Sequence, residues 1–304
     1  MKSEKIRVPA RIKPGDTIGI VGPAGPFDRQ TFLRGVRIIE DMGFQIFIPP
    51  GLFEKNRYLA GSDNHRVQFV NQLFADTSID AIICARGGYG SMRILPMLDY
   101  DTIQNNPKVF IGFSDITILL SVLVSRCNLV TFHGPVVTSL ADASEETKCS
   151  LFSNVTSESN LEIKLLSGET IIPGMAAGEV CGGNLTMLCH LVGTPFATEF
   201  ENKILFLEDR GEAPYRIDRM LVHMALAGCF KGLSGIILGT FEECGPIEDV
   251  IKIIVEVFEK YSIPILAGLD AGHGRHNLTI PLGIEATLDA DRHSLIYRRA
   301  ATVG

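Results

Sequence analysis

The stretch "KVFIGFSDITILLSVLVSRC", Lys108 to Cys127, decides how the first half of the chain folds. A β-branched apolar run ends at Gly112. Phe113, Ser114 and Asp115 follow, and a second apolar run of helical length begins at once. The pattern predicts a buried strand, a tight turn and a helix. Its neighbours repeat the alternation. "DTIGIVGPAG" predicts a strand and a glycine loop. "DRQTFLRGVRIIEDMG" predicts a helix capped by Asp28 and stopped at Gly43. "FQIFIPP" is a strand, "SDNHRVQFVNQLFAD" a helix capped by Ser62 or Asp63, and "IDAIICARGGYG" a buried strand running into glycines. "SMRILPMLD" is a short helix and "LVTFHGPVV" a further strand. Strands separated by helices imply parallel βαβ units with both sheet faces covered. Ligands of such sheets bind outside the carboxyl ends of the strands. "GPAG", "RGGYG" and "GFSD" therefore share one rim.

From about residue 141 to 173 the chain turns polar and irregular, which reads as a connection. The expected division is residues 1–150, a linker over 151–173, and a second domain over 174–304. In that second part "AAGEVCGGNLTMLCHLVGTP" predicts a strand, a glycine turn and a helix, and "NKILFLED", "LSGIILGTF", "IPILAGLDAGHG", "LTIPLGIEATLDA" and "SLIYRR" supply strands. "APYRIDRMLVHMALAGCF" and "IEDVIKIIVEVFEKY" supply amphipathic helices, giving a compact α+β unit.

With 304 residues, 46% hydrophobic and 21% charged, the chain suits two globular domains. Its formal net charge of −7, without any basic block, argues against nucleic acid as a partner. The seven cysteines are odd in number and lack CxxC spacing, which favours a reducing compartment over a disulfide framework. "MKSEKIRVPARIKPGD" lacks the apolar core of a signal peptide. No apolar run is long enough for a membrane span. A cytoplasmic location is expected.

Ser114 sits where a nucleophile elbow would place it, although Ile116 stands in place of the second glycine of G-x-S-x-G. The alternative is that Ser114 or Asp115 merely caps the helix. A serine nucleophile needs a base. His65 and His223 fall within helices, and His293 lies near a charged strand. His133 and His190 have apolar surroundings. His273, between two glycines after an apolar strand, is best placed for presentation on a loop, with His276 as its local competitor. Glu208 and Asp209 end an apolar strand, where a buried carboxylate requires a partner. That partner is a histidine, or Arg210, Arg216 or Arg219. "ARGGYGSMR" offers backbone N–H groups to an anion but is neither a Walker loop nor G-x-G-x-x-G. Arg86 and Arg93 could hold a carboxylate, Arg93 from a solvated helix face. Asp270, His273 and His276 form too loose a cluster for a metal site.

Taken in order, "GDTIGIVGPAGP", "YLAGSDNHR", "ARGGYGSMRILPMLDY", "IGFSDIT", "TFHGP", "GGNLTML", "LFLEDRGEAPYRIDRML" and "GHGRHNLTIPLG" resemble the LD-carboxypeptidase family of serine peptidases. That family includes muramoyltetrapeptide carboxypeptidases and microcin C immunity peptidases. The resemblance implies a Rossmann-like parallel-sheet N-terminal domain, a smaller β-rich C-terminal domain and a homodimer. It implies a Ser114–Glu208–His273 triad, with the active site in a cleft between the domains. The oxyanion would then be received by backbone N–H groups of Asp115 and of Gly87 or Gly88, and Arg86 would bind the substrate carboxylate. It implies release of terminal D-alanine from a murein tetrapeptide, with no metal or organic cofactor. Two other readings remain open at this point: hydrolysis of a peptidyl-nucleotide toxin, and a two-domain small-ligand binding protein that does not use Ser114.

Overall fold

A computed structural model describes residues 6–304. The chain forms two compact units. The first runs to Glu158 and also takes Leu278–Pro281 and Ala301–Gly304; the second comprises Ser159–Asn277 and Leu282–Ala300.

The first unit alternates strand and helix as its hydrophobic pattern dictates. Strand β1 is Thr17–Val21, helix α1 Arg29–Asp41, β2 Gln45–Phe47, α2 Asp63–Ala75 and β3 Ala81–Cys84. Two short helices, α3 (Ser91–Ile94) and α4 (Tyr100–Asn105), lead to β4 (Val109–Gly112). Then come α5 (Thr117–Cys127), β5 (Thr131–His133), α6 (Val137–Leu140) and α7 (Glu145–Thr156). Asp28 caps α1 by accepting from the Thr31 N–H, and Ser62 caps α2 by accepting from the His65 N–H. The strands β2, β1, β3, β4 and β5 lie side by side in that order and pair in parallel. Every residue of β3 and β4 is buried, which is what a sheet covered on both faces requires. The sheet order reverses at β1, so the loops after β1 and β3 emerge at the topological switch point. The Gly25 N–H joins these loops by donating to the Gly87 carbonyl at 3.1 Å.

A sixth strand, Ile280–Leu282, returns from far along the chain to lie beside β5. The C-terminus returns as well: Arg11 N–H donates to Val303 C=O (2.7 Å) and Val303 N–H to Pro9 C=O (3.0 Å). These returns depart from the expected division at residue 150, because a local pattern does not say which sheet a strand will join.

The second unit is built on an eight-stranded mixed sheet. Its strands are β6 (Glu162–Lys164), β7 (Glu169–Ile172), β8 (Met175–Asn184), β9 (Lys203–Arg210), β10 (Gly235–Glu242) and β11 (Ile265–Ala267). The returning strand of the first sheet counts as β12, and β13 (Glu285–Asp289) and β14 (Ser294–Tyr297) complete the set. The spatial order is β6, β14, β13, β8, β9, β10, β11, β7. The middle strands β8 to β11 pair in parallel and the flanking ones antiparallel. Helices α8 (Leu185–Leu191), α9 (Pro214–Leu226) and α10 (Ile247–Phe258) bury Leu188, Ile217, Leu221, Met224, Val250 and Ile254 in a core that also holds Phe230 and Phe258.

The stretch read as a linker is ordered: 151–173 holds the end of α7 and strands β6 and β7. Helix α7 escaped the sequence reading because polar residues fill its outer face. Only Leu151, Phe152 and Val155 among its apolar side chains are buried, and its start rests on the Ser144 side chain accepting from Thr147 N–H. The segment after "RGGYG" also differs. It is a helix of four residues, a 3-10 turn carrying Pro96, and then α4, capped by Asp99. "LTIPLGIEATLDA" divides into β12 and β13, which belong to different sheets. Among the described residues no helix is long and apolar enough to cross a membrane.

One packing constraint is severe. A Cβ on Gly35 of α1 would stand 1.9 Å from the Val137 carbonyl oxygen of α6. Gly35→Ala should force the two helices apart and cost about 1–3 kcal/mol. A lowered urea midpoint with an unchanged slope checks this.

Candidate active site

In the first unit β4 ends at Gly112, Phe113 is extended, and Ser114 has φ 63°. A left-handed conformation at a non-glycine residue costs on the order of 1–2 kcal/mol and concentrates at functional sites. A 3-10 turn, Ser114–Ile116, then leads into α5. No side-chain capping bond closes the start of the turn or of the helix. The capping role considered for Ser114 and Asp115 is therefore not what these residues do. Gly112 is required because Ile116 folds back over it: an added Cβ would meet Ile116 Cγ2 at 2.5 Å.

The glycine loop after β3 packs against this turn. A Cβ on Gly87 would stand 3.0 Å from Ser114 Cβ and 3.3 Å from both Ser114 Oγ and the Phe113 carbonyl. Gly88 and Gly90 have φ 107° and 133°. Asp115 is 3% exposed, and its carboxylate accepts from the Ser91 N–H at 2.9 Å. Arg86 is exposed and donates to the Pro26 carbonyl. Arg93 is held by Asp63 through two guanidinium nitrogens, so it serves a surface ion pair. Those contacts hold the Asp63 carboxyl below its ordinary range.

In the second unit the alternation of β9 separates its two terminal acids. Glu208 is fully buried, and its Oε2 lies 2.7 Å from His273 Nδ1. Asp209, also buried, takes the N–H and hydroxyl of Thr186 and the amide of Asn184 at the start of α8. Burial pushes the Asp209 carboxyl up. Of the arginines considered as partners for these acids, Arg210 binds Glu243 and Arg216 reaches Glu212.

The loop carrying His273 is pinned from three sides. Gly274 N–H donates to Thr240 Oγ1 (3.1 Å), Thr240 N–H to the Ala271 carbonyl (3.0 Å), and Gly272 N–H to Asn277 Oδ1 (2.9 Å). Gly272 has φ 121°, and a Cβ there would meet Glu208 Oε2 and Thr240 Oγ1, each at 2.7 Å. Thr240 and Asn277 were not singled out in the sequence. The signal that could have found Thr240 is its place at the carboxyl end of β10, beside the glutamate strand.

Three of the other histidines are engaged elsewhere. His65 contacts the Gly51 carbonyl and the exposed Glu54. His293 contacts Thr170, and His133 is buried in β5 with its ring edge-on to Phe113. Among the described residues no group of three or more His, Cys, Asp or Glu side chains could hold a metal ion.

Residues 18–134 match the family model of the LD-carboxypeptidase N-terminal domain, and residues 177–288 match that of the C-terminal domain. The chain belongs to the LD-carboxypeptidase family. The "Probable murein peptide carboxypeptidase" of Bacillus subtilis is 34% identical over 97% of this chain and 96% of its own length. The microcin C7 self-immunity protein of Escherichia coli is 30% identical, with 92% of each chain covered. The crystal structure of a muramoyltetrapeptide carboxypeptidase from Oxalobacter formigenes superposes with a TM-score of 0.84 at 28% identity, covering 92% of this chain and 97% of the other. As an LD-carboxypeptidase the protein is a serine-type carboxypeptidase with a parallel-sheet N-terminal domain and a second sheet domain.

Gly272→Ala should displace His273 from Glu208 while sparing the core. A shift on the order of 1 Å costs about 10²-fold in rate. Peptide turnover should fall by that factor with the far-ultraviolet circular dichroism unchanged.

Proposed function

We propose that the protein releases terminal D-alanine from murein tetrapeptides by cleaving the bond that joins it to the L-centre of a diamino acid. Ser114 is the nucleophile, His273 the general base and Glu208 the group that orients it. The observation that carries this reading is the buried Glu208 carboxylate set against Nδ1 of a loop histidine. With Nδ1–H donating to Glu208, the tautomer makes Nε2 the basic nitrogen, the one that takes a proton from a hydroxyl. The left-handed Ser114 at a strand-to-helix turn supports its role as nucleophile.

The chemistry follows. Ser114 Oγ attacks the peptide carbonyl carbon as its proton passes to His273. Glu208 stabilises the imidazolium that forms. Backbone N–H groups of Asp115 and of Gly87 or Gly88 receive the oxyanion; each such donor is worth about 10²–10³ in turnover. The imidazolium returns the proton to the departing amine of D-alanine. Water, deprotonated by His273, then hydrolyses the acyl-enzyme. Arg86 takes the free carboxylate of the leaving residue. Such a substrate arises from degraded wall, so the enzyme acts in recycling, in the cytoplasm; the family resemblance adds a homodimer.

The likeness to the microcin C7 self-immunity protein supports a second reading, in which the same residues hydrolyse a peptidyl nucleotide.

Incubation with a murein tetrapeptide, with products weighed by mass spectrometry, should show loss of one alanine. Ser114→Ala should reduce turnover by 10⁴-fold or more, as an order-of-magnitude figure, and Glu208→Gln by about 10³–10⁴. Turnover of a peptidyl nucleotide alone would move the protein to the second reading. Unchanged activity in Ser114→Ala would dismiss the serine mechanism in both.

A further inference from the structure

One peptide group in the first unit is held at both ends by buried charge. The Gly90 carbonyl accepts from Arg66 Nη1 at 2.9 Å, and the Ser91 N–H of the same peptide donates to Asp115 Oδ2 at 2.9 Å. A trans peptide points its C=O and N–H in opposite directions, so the cation and the anion stand on opposite sides of it. Arg66 is 1% exposed, Asp115 3% and Ser91 0%. Arg66 also donates to the Pro23 carbonyl in the loop after β1 and pairs with Asp63 at 2.5 Å. The loops after β1 and β3 thus meet at one guanidinium. Asp115 ties the loop after β3 to the Ser114 turn.

Burying a charge costs several kcal/mol unless it is paired and hydrogen-bonded. Arg66 meets part of that need through Asp63, but its bond to Gly90 and the bond of buried Asp115 to Ser91 put a cation and an anion on one backbone peptide, and the loop supplies a reason. Gly88 and Gly90 both lie in the left-handed region, so the peptide planes between Gly87 and Ser91 meet little steric resistance to flipping. A flipped plane would turn its N–H away from an oxyanion. Gly90 is favoured by its φ of 133°, and a Cβ there would also crowd Leu59 Cδ2 at 2.7 Å and Arg66 Nη1 at 2.9 Å.

We propose that Arg66 and Asp115 are positioning residues for catalysis, clamping the Gly90–Ser91 peptide so that the Gly87–Tyr89 backbone keeps its N–H groups aimed for the oxyanion beside Ser114. This rests on the serine mechanism proposed above and adds to it how one oxyanion donor is held to the other. Asp115 offers its own N–H from the nucleophile turn, and its side chain fixes the loop that offers the second.

The test compares wild type, Asp115→Ala, Asp115→Asn, Arg66→Met and Ser114→Ala on a murein tetrapeptide, with amide hydrogen exchange followed at the Ser91 N–H. In wild type that amide, buried and bonded to Asp115, should exchange slowly. Asp115→Ala should lower kcat by about 10²–10³ with KM within about threefold, and exchange at the Ser91 N–H should rise about tenfold or more. Asp115→Asn keeps an acceptor oxygen and should recover at least about tenfold of the lost kcat and most of the protection. Arg66→Met should act in the same direction as Asp115→Ala. Wild-type exchange at the Ser91 N–H as fast as in an unstructured peptide would overturn the clamp, even if a variant fails to fold. So would kcat in Asp115→Ala within about threefold of wild type while Ser114→Ala is inactive, or a lost kcat without faster exchange. A wild type no more active than Ser114→Ala would instead refute the serine mechanism, and the catalytic role of the clamp with it.

Discussion

Parallel strand pairing is the constraint on which the first unit rests. Once β1, β3, β4 and β5 pair in one direction, every carboxyl end must emerge on the same rim, and the loops that follow must share that space. Glycine makes the sharing feasible. Gly25 bonds Gly87, Gly87 packs on Ser114, and Gly112 admits Ile116. The backbone turns sharply at Ser114 because the strand has ended and a helix must start within three residues.

The second unit solves a related problem with different means. Its central parallel strands bring Glu208 and Thr240 to adjacent strand ends, and the chain leaving β11 passes over both. Glu208 and Asp209 are neighbours in sequence, but the pleat sends them to opposite faces of the sheet. One meets an imidazole; the other meets the start of a helix. Gly272 and Gly239 let the loop approach so closely. A Cβ on Gly239 would stand 2.4 Å from the Ala271 carbonyl oxygen.

Much of this was legible beforehand. Strand and helix alternation in the first unit follows from β-branched runs, caps at Asp28 and Ser62, and the glycine stops. His273 stood out because it lies between glycines after an apolar strand, and Glu208 because a carboxylate ended one. Helix α7 was hidden by its polar outer face, and β6 and β7 by their half-exposed, edge positions. Arg66 carries no distinguishing signal in the sequence of α2. Only the packed structure makes it a buried cation between two loops.

The sequence by itself determined the secondary elements with strong period, the carboxyl-end placement of the glycine turns, and the residue types able to do acyl-transfer chemistry. These depend on neighbours three or four residues apart, or on single residues whose backbone needs are unique. The tertiary structure decided which sheet received Ile280–Leu282, which of two adjacent acids faced the histidine, and which charges were buried against Gly90 and Ser91. Those outcomes are set by contacts between residues far apart along the chain, whose energies depend on burial and direction rather than on local pattern.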